Sequence, residues 1–297
     1  MPKVVVSLLD AGQEFQQLQA KDAREAASRL SLELEVAFAE GHAVVQIQQL
    51  FKHIHALPGE RPVAIVVEPT TGEGLERVAR NAVKAGIGWI LVNADVAYLD
   101  ELRAAHHELP IASVGTDQVE AGRIQGRQAR ALAPGGGRVL CVQGPPDAAA
   151  TARRLEGLKQ ALGTGFELRG VNGDWTAAGG EQAVASWLRL KTADAFRPDV
   201  VVCQNDSMAI GAREALRAQS RDWGDLPLLG CDGLPEGGQK HVAAGLLAGT
   251  VVTPSNTGPA LELVARWLQT KQAPARELLL APRSHPPEDR IAPRPGR

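Results

Sequence analysis

The chain repeats one unit. A short unbroken run of Val, Ile and Leu stops at a polar tip, and a helical pattern starts at once. The clearest instance is Asp199-Val200-Val201-Val202-Cys203-Gln204-Asn205-Asp206-Ser207-Met208-Ala209-Ile210-Gly211. Its apolar run has strand length, and Asp206 or Ser207 is placed to cap the helix that follows. A turn of this kind puts Asn205 and Asp206 at the carboxyl end of a parallel sheet, the edge where open α/β sheets hold ligands. Further on, Leu228-Leu229-Gly230-Cys231-Asp232-Gly233 ends a second strand in a carboxylate.

The same alternation runs through the chain. Expected strands are 4–9, 32–38, 63–67, 89–92, 111–114, 138–143, 166–171, 199–203, 227–231 and 249–252. The expected helices begin with a long one carrying Phe15, Leu18, Ala23, Ala26, Ala27 and Leu30 on or near one face. Others follow at 43–57 (Val44, Ile47, Leu50, Phe51, Ile54), 73–85, from 117 to about 132, 149–162, 177–190, after the 199–203 strand, near 235–244 and at 255–270. In the last, Thr257 or Asn256 caps a face of Leu261, Val264 and Leu268. Continuous apolar strands between helices predict parallel sheets covered on both faces. The Pro- and Arg-rich tail 282–297 is expected to fray beyond about 285.

Composition removes several function classes. The 297 residues are long enough for two domains, and the formal charge of −2 gives no field for nucleic acid or anionic membrane. Cys141, Cys203 and Cys231 sit in apolar runs and read as buried free thiols without metal-ligand spacing. His53, His55, His106 and His107 read as surface helix histidines. Gly135-Gly136-Gly137-Arg138 lacks the Lys-Ser/Thr of a phosphate loop, Gly163-Thr164-Gly165 fails as a dinucleotide fingerprint, and no Gly-x-Ser-x-Gly elbow occurs. No cofactor or metal is therefore expected, and no enzyme. Met1-Pro2-Lys3 runs straight into the first strand without the features of a signal peptide. The expected location is periplasmic if a leader has been removed, otherwise cytoplasmic.

What remains is a set of polar and aromatic residues at strand tips in both halves: Asp10, Phe15, Glu68, Asn93, Arg154, Trp175, Asn205 and Asp232. Carboxylates and amides pair with vicinal hydroxyls, a guanidinium offers a forked donor, and aromatic rings cover the apolar face of a sugar.

Specific stretches carry a family resemblance across about residues 3–281. Val66-Val67-Glu68-Pro69-Thr70, Thr116-Asp117 with Gly122 and Gly126, Thr151-Ala152-Arg153-Arg154-Leu155-Glu156-Gly157, Gln204 to Gly211, and Gly230-Cys231-Asp232-Gly233 resemble the type I periplasmic sugar-binding proteins. The ribose-binding branch is nearest, and the ligand core of the lactose-repressor family shares the pattern. The resemblance implies that Arg154, Asn205 and Asp232 keep polar ligand roles, that Trp175 and Phe15 replace stacking aromatics, and that Thr253 stands where a glutamine contacts ribose. Glu68 replaces an asparagine, Asn93-Ala94 replaces an Asp-Arg pair, and Cys231 replaces a phenylalanine, which weakens ribose itself as the ligand.

The resemblance also implies an architecture of two Rossmann-like lobes with parallel sheets and three hinge crossovers. The expected N-terminal lobe is 1–115 plus 255–281, the C-terminal lobe 116–254 plus 282–297, with the ligand cleft between them. The implied function is a receptor that closes on a sugar or sugar-like polyol for an ABC-type transporter. The alternative is the ligand-sensing core of a transcriptional or kinase-linked regulator. The expected partners are a carbohydrate or polyol and a membrane permease or sensor kinase. Nucleic acid is not expected, because a helix-turn-helix would need further residues before the first strand.

Overall fold

A computed structural model describes residues 1–71, 74–94, 96–190, 195–218 and 223–293. The chain forms two compact units, Met1–Thr116 with Ser255–Leu280, and Asp117–Pro254 with Ala281–Arg297. Glu73, which opens one expected helix, and residues 294–297 of the expected second lobe lie outside the described residues.

Unit 1 is built on β1 (Lys3–Leu8), β2 (Glu33–Phe38), β3 (Ala64–Val67), β4 (Gly88–Val92), β5 (Ile111–Thr116) and β11 (Glu277–Leu280). Their order is β11-β5-β4-β3-β1-β2, and every pairing is parallel. Two cores cover the two faces. One joins Ile65, Trp89, Leu91 and Ile111 to Leu50, Val78 and Leu99, which come from α2 (Ala43–Ile54), α3 (Glu76–Lys84) and α4 (Tyr98–Ala105). The other joins Val4, Val6, Val66 and Ile90 to two helices, α1 (Glu14–Leu30) and Thr257–Thr270, through Ala20, Ala23, Ala27, Leu261 and Val264. Small alanines on α1 let these helices pack closely.

Unit 2 has a parallel sheet of β7 (Phe166–Asn172), β6 (Gly137–Gln143), β8 (Val200–Cys203) and β9 (Leu228–Leu229), in that order. Parallel bridges Leu229–Gly249 and Asp232–Val252 extend it. A separate antiparallel ribbon pairs β10 (Thr250–Val252) with β12 (Arg283–His285). Among the described residues its longer helices are α5 (Gln118–Leu132), α6 (Ala149–Leu162), α7 (Ala177–Leu188) and α8 (Asp206–Arg217).

Several expectations change. The helix predicted over 43–57 is Ala43–Ile54, and Pro58 opens a separate short turn, Pro58–Glu60. In that helix Val44 is exposed, and Gln46 and His53 take buried positions. The apolar face read for α1 is also shifted. Gln16 and Gln19 are buried, whereas Phe15 and Leu18 are only half-buried. The helix Tyr98–Ala105 and the strands Glu277–Leu280 and Arg283–His285 were not anticipated. The expected helix near 235–244 is a π turn, Pro235–Gln239, followed by one short helix.

The tail does not fray at 285. Arg283–His285 pairs with β10, Glu288 Oε2 accepts from Arg127 Nε at 2.8 Å, and Ile291 is buried. His53 is not on the surface either. Its Nε2 lies 3.3 Å from Glu35 Oε1, and burial pulls its pKa below the ordinary 6.5 against the opposing pull of Glu35.

Candidate functional site

Each unit gathers polar side chains at the carboxyl ends of its strands. In unit 1 the centre is Glu68, directly after β3. Its Oε2 accepts from Gln16 Nε2 at 3.0 Å and its Oε1 from Asn93 Nδ2 at 3.1 Å. Asn93 follows β4 with φ of 54°, a left-handed conformation that asparagine tolerates and that turns its amide toward Glu68. Asn256 Nδ2 donates in turn to Asn93 Oδ1. Gln46 holds the backbone beneath, donating to the Glu68 carbonyl at 2.8 Å and to Ser7 Oγ at 3.1 Å.

Neither Asn256 nor Thr257 caps its helix with its own side chain. The helix start Thr257–Thr270 is capped from α1 instead. Gln19 Oε1 accepts from Asn256 N at 2.7 Å and Thr257 N at 3.2 Å, and Asp22 Oδ2 accepts from Gly258 N at 2.8 Å. Those borrowed caps satisfy amides that a helix leaves without internal partners.

Two expected unit 1 residues stay at the margin. Asp10 Oδ1 accepts from Gly12 N at 2.8 Å, an Asx turn inside its own loop. Phe15 sits in the first turn of α1, half-buried.

In unit 2 the centre is Arg154 on α6, only 6% exposed. Its Nε donates to Gln118 Oε1 at 2.7 Å, its Nη1 donates to the Gln204 carbonyl, and its Nη2 lies 3.6 Å from Asp232 Oδ1. Its guanidinium carbon stands 5.7 Å from the centre of the Trp175 ring. The indole lies over Gly144, where a Cβ would come within 2.2 Å of it. Thr253 is buried beside this group. Its N–H donates to the Asp232 carbonyl at 3.1 Å, and its hydroxyl has no hydrogen-bond partner among the described residues.

Asn205, not Asp206 or Ser207, caps α8. Its Oδ1 accepts from Met208 N at 2.8 Å, while its Nδ2 donates to the Trp175 carbonyl at 2.8 Å. It therefore braces the turn that presents Trp175. Asp206 is buried below. Its Oδ2 accepts from Gly233 N at 2.7 Å and its Oδ1 from Thr250 Oγ1 at 2.6 Å. Burial, reinforced by the nearby charge of Asp232, raises its pKa well above the usual carboxylate range. The three thiols are buried and free, with Cys141 and Cys231 pushed up to about 12 by burial.

The structure thus brings Glu68 and Asn93 together in unit 1, and Arg154, Trp175, Asn205, Asp232 and Thr253 in unit 2. Sequence reasoning missed Gln16, Gln46, Asn256, Gln118 and the buried role of Asp206. A signal existed for two of them. Gln16 and Gln46 fall on the inward faces of amphipathic helices, and a polar residue there must find a buried partner.

A family model described as a periplasmic binding protein domain matches residues 4–258, and the chain belongs to that family. The D-galactose/methyl-galactoside binding periplasmic protein MglB of Haemophilus influenzae is 34% identical over 163 residues, covering 50% of this chain and 47% of that protein. The ribose import binding protein RbsB of Escherichia coli is 29% identical over 191 residues, covering 63% of this chain and 58% of that protein. The matched region thus spans about half the length of these curated relatives. The myo-inositol binding protein of Caulobacter, solved with myo-inositol bound, superposes with a TM-score of 0.79 at 23% identity, covering 96% of this chain and 94% of that one. That likeness shows the fold: parallel α/β sheets in two lobes of the periplasmic type I kind. Among the described residues no helix is long and apolar enough to cross a membrane.

Proposed function

We propose that this chain is a solute receptor for a sugar or sugar-like polyol and serves an ABC-type transporter in the periplasm. The observation that carries the reading is the Arg154–Asp232 pair, held at 3.6 Å beside the Trp175 ring at the carboxyl edge of the unit 2 sheet. A forked donor, a carboxylate and an aromatic face are the three groups a polyhydroxylated ring needs. The buried hydroxyl of Thr253 next to them, without a hydrogen-bond partner among the described residues, supports the same reading. So do the relatives, which are named for binding galactosides, ribose and myo-inositol.

A thermal-shift screen of pentoses, hexoses, polyols and inositols tests it. A ligand at about 100 times its dissociation constant adds about 2.7 kcal/mol to the folded state, enough to move the melting midpoint visibly. At least one compound is expected to shift the protein, and Asp232→Asn is expected to abolish most of that shift. A flat response across the screen at millimolar concentration would remove the reading.

A further inference from the structure

Gln204 follows β8 directly and is buried. Its main-chain N–H donates to the Val142 carbonyl at 2.9 Å, which continues the pairing of β8 with β6. Its side-chain Oε1 accepts from Gly144 N at 3.0 Å, and its Nε2 donates to the Thr151 carbonyl at 3.0 Å. Its own carbonyl accepts from Arg154 Nη1. One residue thus joins the exit of β6, the first turn of α6 and the guanidinium that extends from that helix.

Two of these bonds fall where the site residues rest. The Trp175 indole lies over Gly144, so the bond from Gly144 N to Gln204 fixes the strip of backbone that seats the ring. Asn205, the next residue, holds the Trp175 carbonyl at 2.8 Å. Thr151 precedes Arg154 on α6, so the bond from Gln204 to its carbonyl fixes the stretch of helix that carries the arginine. Holding both needs an acceptor for an N–H and a donor for a carbonyl in one group, and an amide supplies both. A carboxylate would set an oxygen against the Thr151 carbonyl, and a methionine would supply neither bond. Binding groups keep a productive geometry only when the packing and hydrogen bonds beneath them fix their positions.

We propose that Gln204 is a positioning residue of the unit 2 edge: through Gly144 and Thr151 it sets the Trp175 ring and the Arg154 guanidinium, 5.7 Å apart, for one ligand. This rests on the reading of the chain as a polyol receptor. The tests use the full chain. Gln204→Met removes both side-chain bonds at similar volume, and Gln204→Asn keeps the amide but withdraws it by one methylene. Leu162→Ala, at a buried position at the far end of α6, is the packing control. Without ligand, subtracting the emission of the same protein carrying Trp175→Phe isolates Trp175. Both Gln204 variants are expected to shift that emission to the red and to raise its quenching by acrylamide, and Leu162→Ala to do neither. Calorimetric titration with D-ribose, D-galactose and myo-inositol follows. Gln204→Met is expected to weaken binding about tenfold, and Leu162→Ala less than about threefold at comparable loss of stability to urea. If only Gln204→Asn folds, it carries both measurements. Unchanged Trp175 emission, equal losses of affinity in the Gln204 variant and Leu162→Ala, or failure of both Gln204 variants to fold would overturn the assignment. If none of the three probes binds the wild-type protein, the emission comparison decides the positioning alone, and the receptor reading is judged by its own screen.

Discussion

Replacing Asp232 by Asn removes the charge of the unit 2 pair and keeps the shape of the side chain. Asp232 sits at φ of 102°, where an asparagine is tolerated better than an alanine. The change removes a carboxylate 3.6 Å from a guanidinium that is 8% exposed at its side chain. Breaking a buried ion pair commonly costs about 3–5 kcal/mol. Three features lower that figure here. The 3.6 Å separation is beyond a direct hydrogen bond, Asp232 keeps 17% of its side chain in solvent, and Arg154 retains Gln118 at 2.7 Å and the Gln204 carbonyl. The expected loss is therefore about 1–2 kcal/mol. Arg154→Ala should cost more, about 3 kcal/mol, because it removes two hydrogen bonds and the charge partner of Asp232 at once and empties a packed volume. Urea unfolding of the unliganded protein reads both, as shifts in midpoint at constant slope. With ligand present, loss of the Asp232 charge is expected to weaken binding by about 25-fold, which corresponds to ~2 kcal/mol. If Asp232→Asn unfolds at the wild-type midpoint and also binds normally, the guanidinium does not depend on that carboxylate and the site has been misread. If Asp232→Asn proves costlier than Arg154→Ala, the ordering argument fails.

Three further outcomes are expected. Tryptophan emission should change on ligand addition, and Trp175→Phe should remove most of the change; a signal that survives would make Trp89, Trp187, Trp223 or Trp267 the reporter. Asp206 has its folded pKa raised by burial, so the native state holds its proton more tightly than the unfolded state does. Stability due to this group is greatest below the unfolded value and falls as pH rises above it, so the wild-type midpoint should decline relative to Asp206→Asn between about pH 4 and 7; a relative gain would contradict the sign. His53 is the opposite case, with burial lowering its folded pKa, so its contribution is lost as pH drops below about 6.5. An NMR titration of the His53 ring should give a midpoint below that value, and one above it would mean that Glu35 outweighs burial.

The sequence revealed the sheets more readily than the site. Val4–Val6, Ile65–Val67 and Val200–Val202 are unbroken apolar runs because both faces of a parallel sheet are covered, and that pattern needs no partner to be read. Strands Glu277–Leu280 and Arg283–His285 escaped because they are edge elements with exposed or polar positions, so their partners, not their composition, make them strands. At the site, the residues at strand tips were legible one by one. Their partners were not. Gln16 is 52 positions from Glu68, and Asn256 is 163 from Asn93. Nothing local records such pairings. The same blindness misassigned the cap of α8, where Asn205, Asp206 and Ser207 are all competent and tertiary demand decides among them: Gly233 and Thr250 claim Asp206, which leaves Asn205 to cap.

One sequence feature does bear on how Arg154 is placed. Gly122 and Gly126 lie on α5, and Gly157 lies three residues after Arg154 on α6. A Cβ at Gly122 would fall 2.0 Å from the Arg154 carbonyl, and one at Gly157 would fall 1.9 Å from the Val119 carbonyl. Both obstacles are backbone, so they cannot swing aside as a flexible side chain would. The two helices therefore touch main chain to main chain at this crossing, and that closeness is what lets Arg154 Nε reach Gln118 on α5 at 2.7 Å. Gly157→Ala should then do two things at once. Overpacking should lower stability by about 1–3 kcal/mol or more. The helices should also part, which lengthens the Arg154–Gln118 bond and loosens the guanidinium. An overpacking mutation in unit 1, Gly88→Ala at the start of β4, where a Cβ would fall 2.4 Å from Pro110 Cγ and 3.0 Å from the Pro110 carbonyl, supplies the control. If ligand affinity falls further in Gly157→Ala than in Gly88→Ala at matched loss of stability, the crossing positions the arginine. If the two variants lose affinity equally, the glycines serve packing alone.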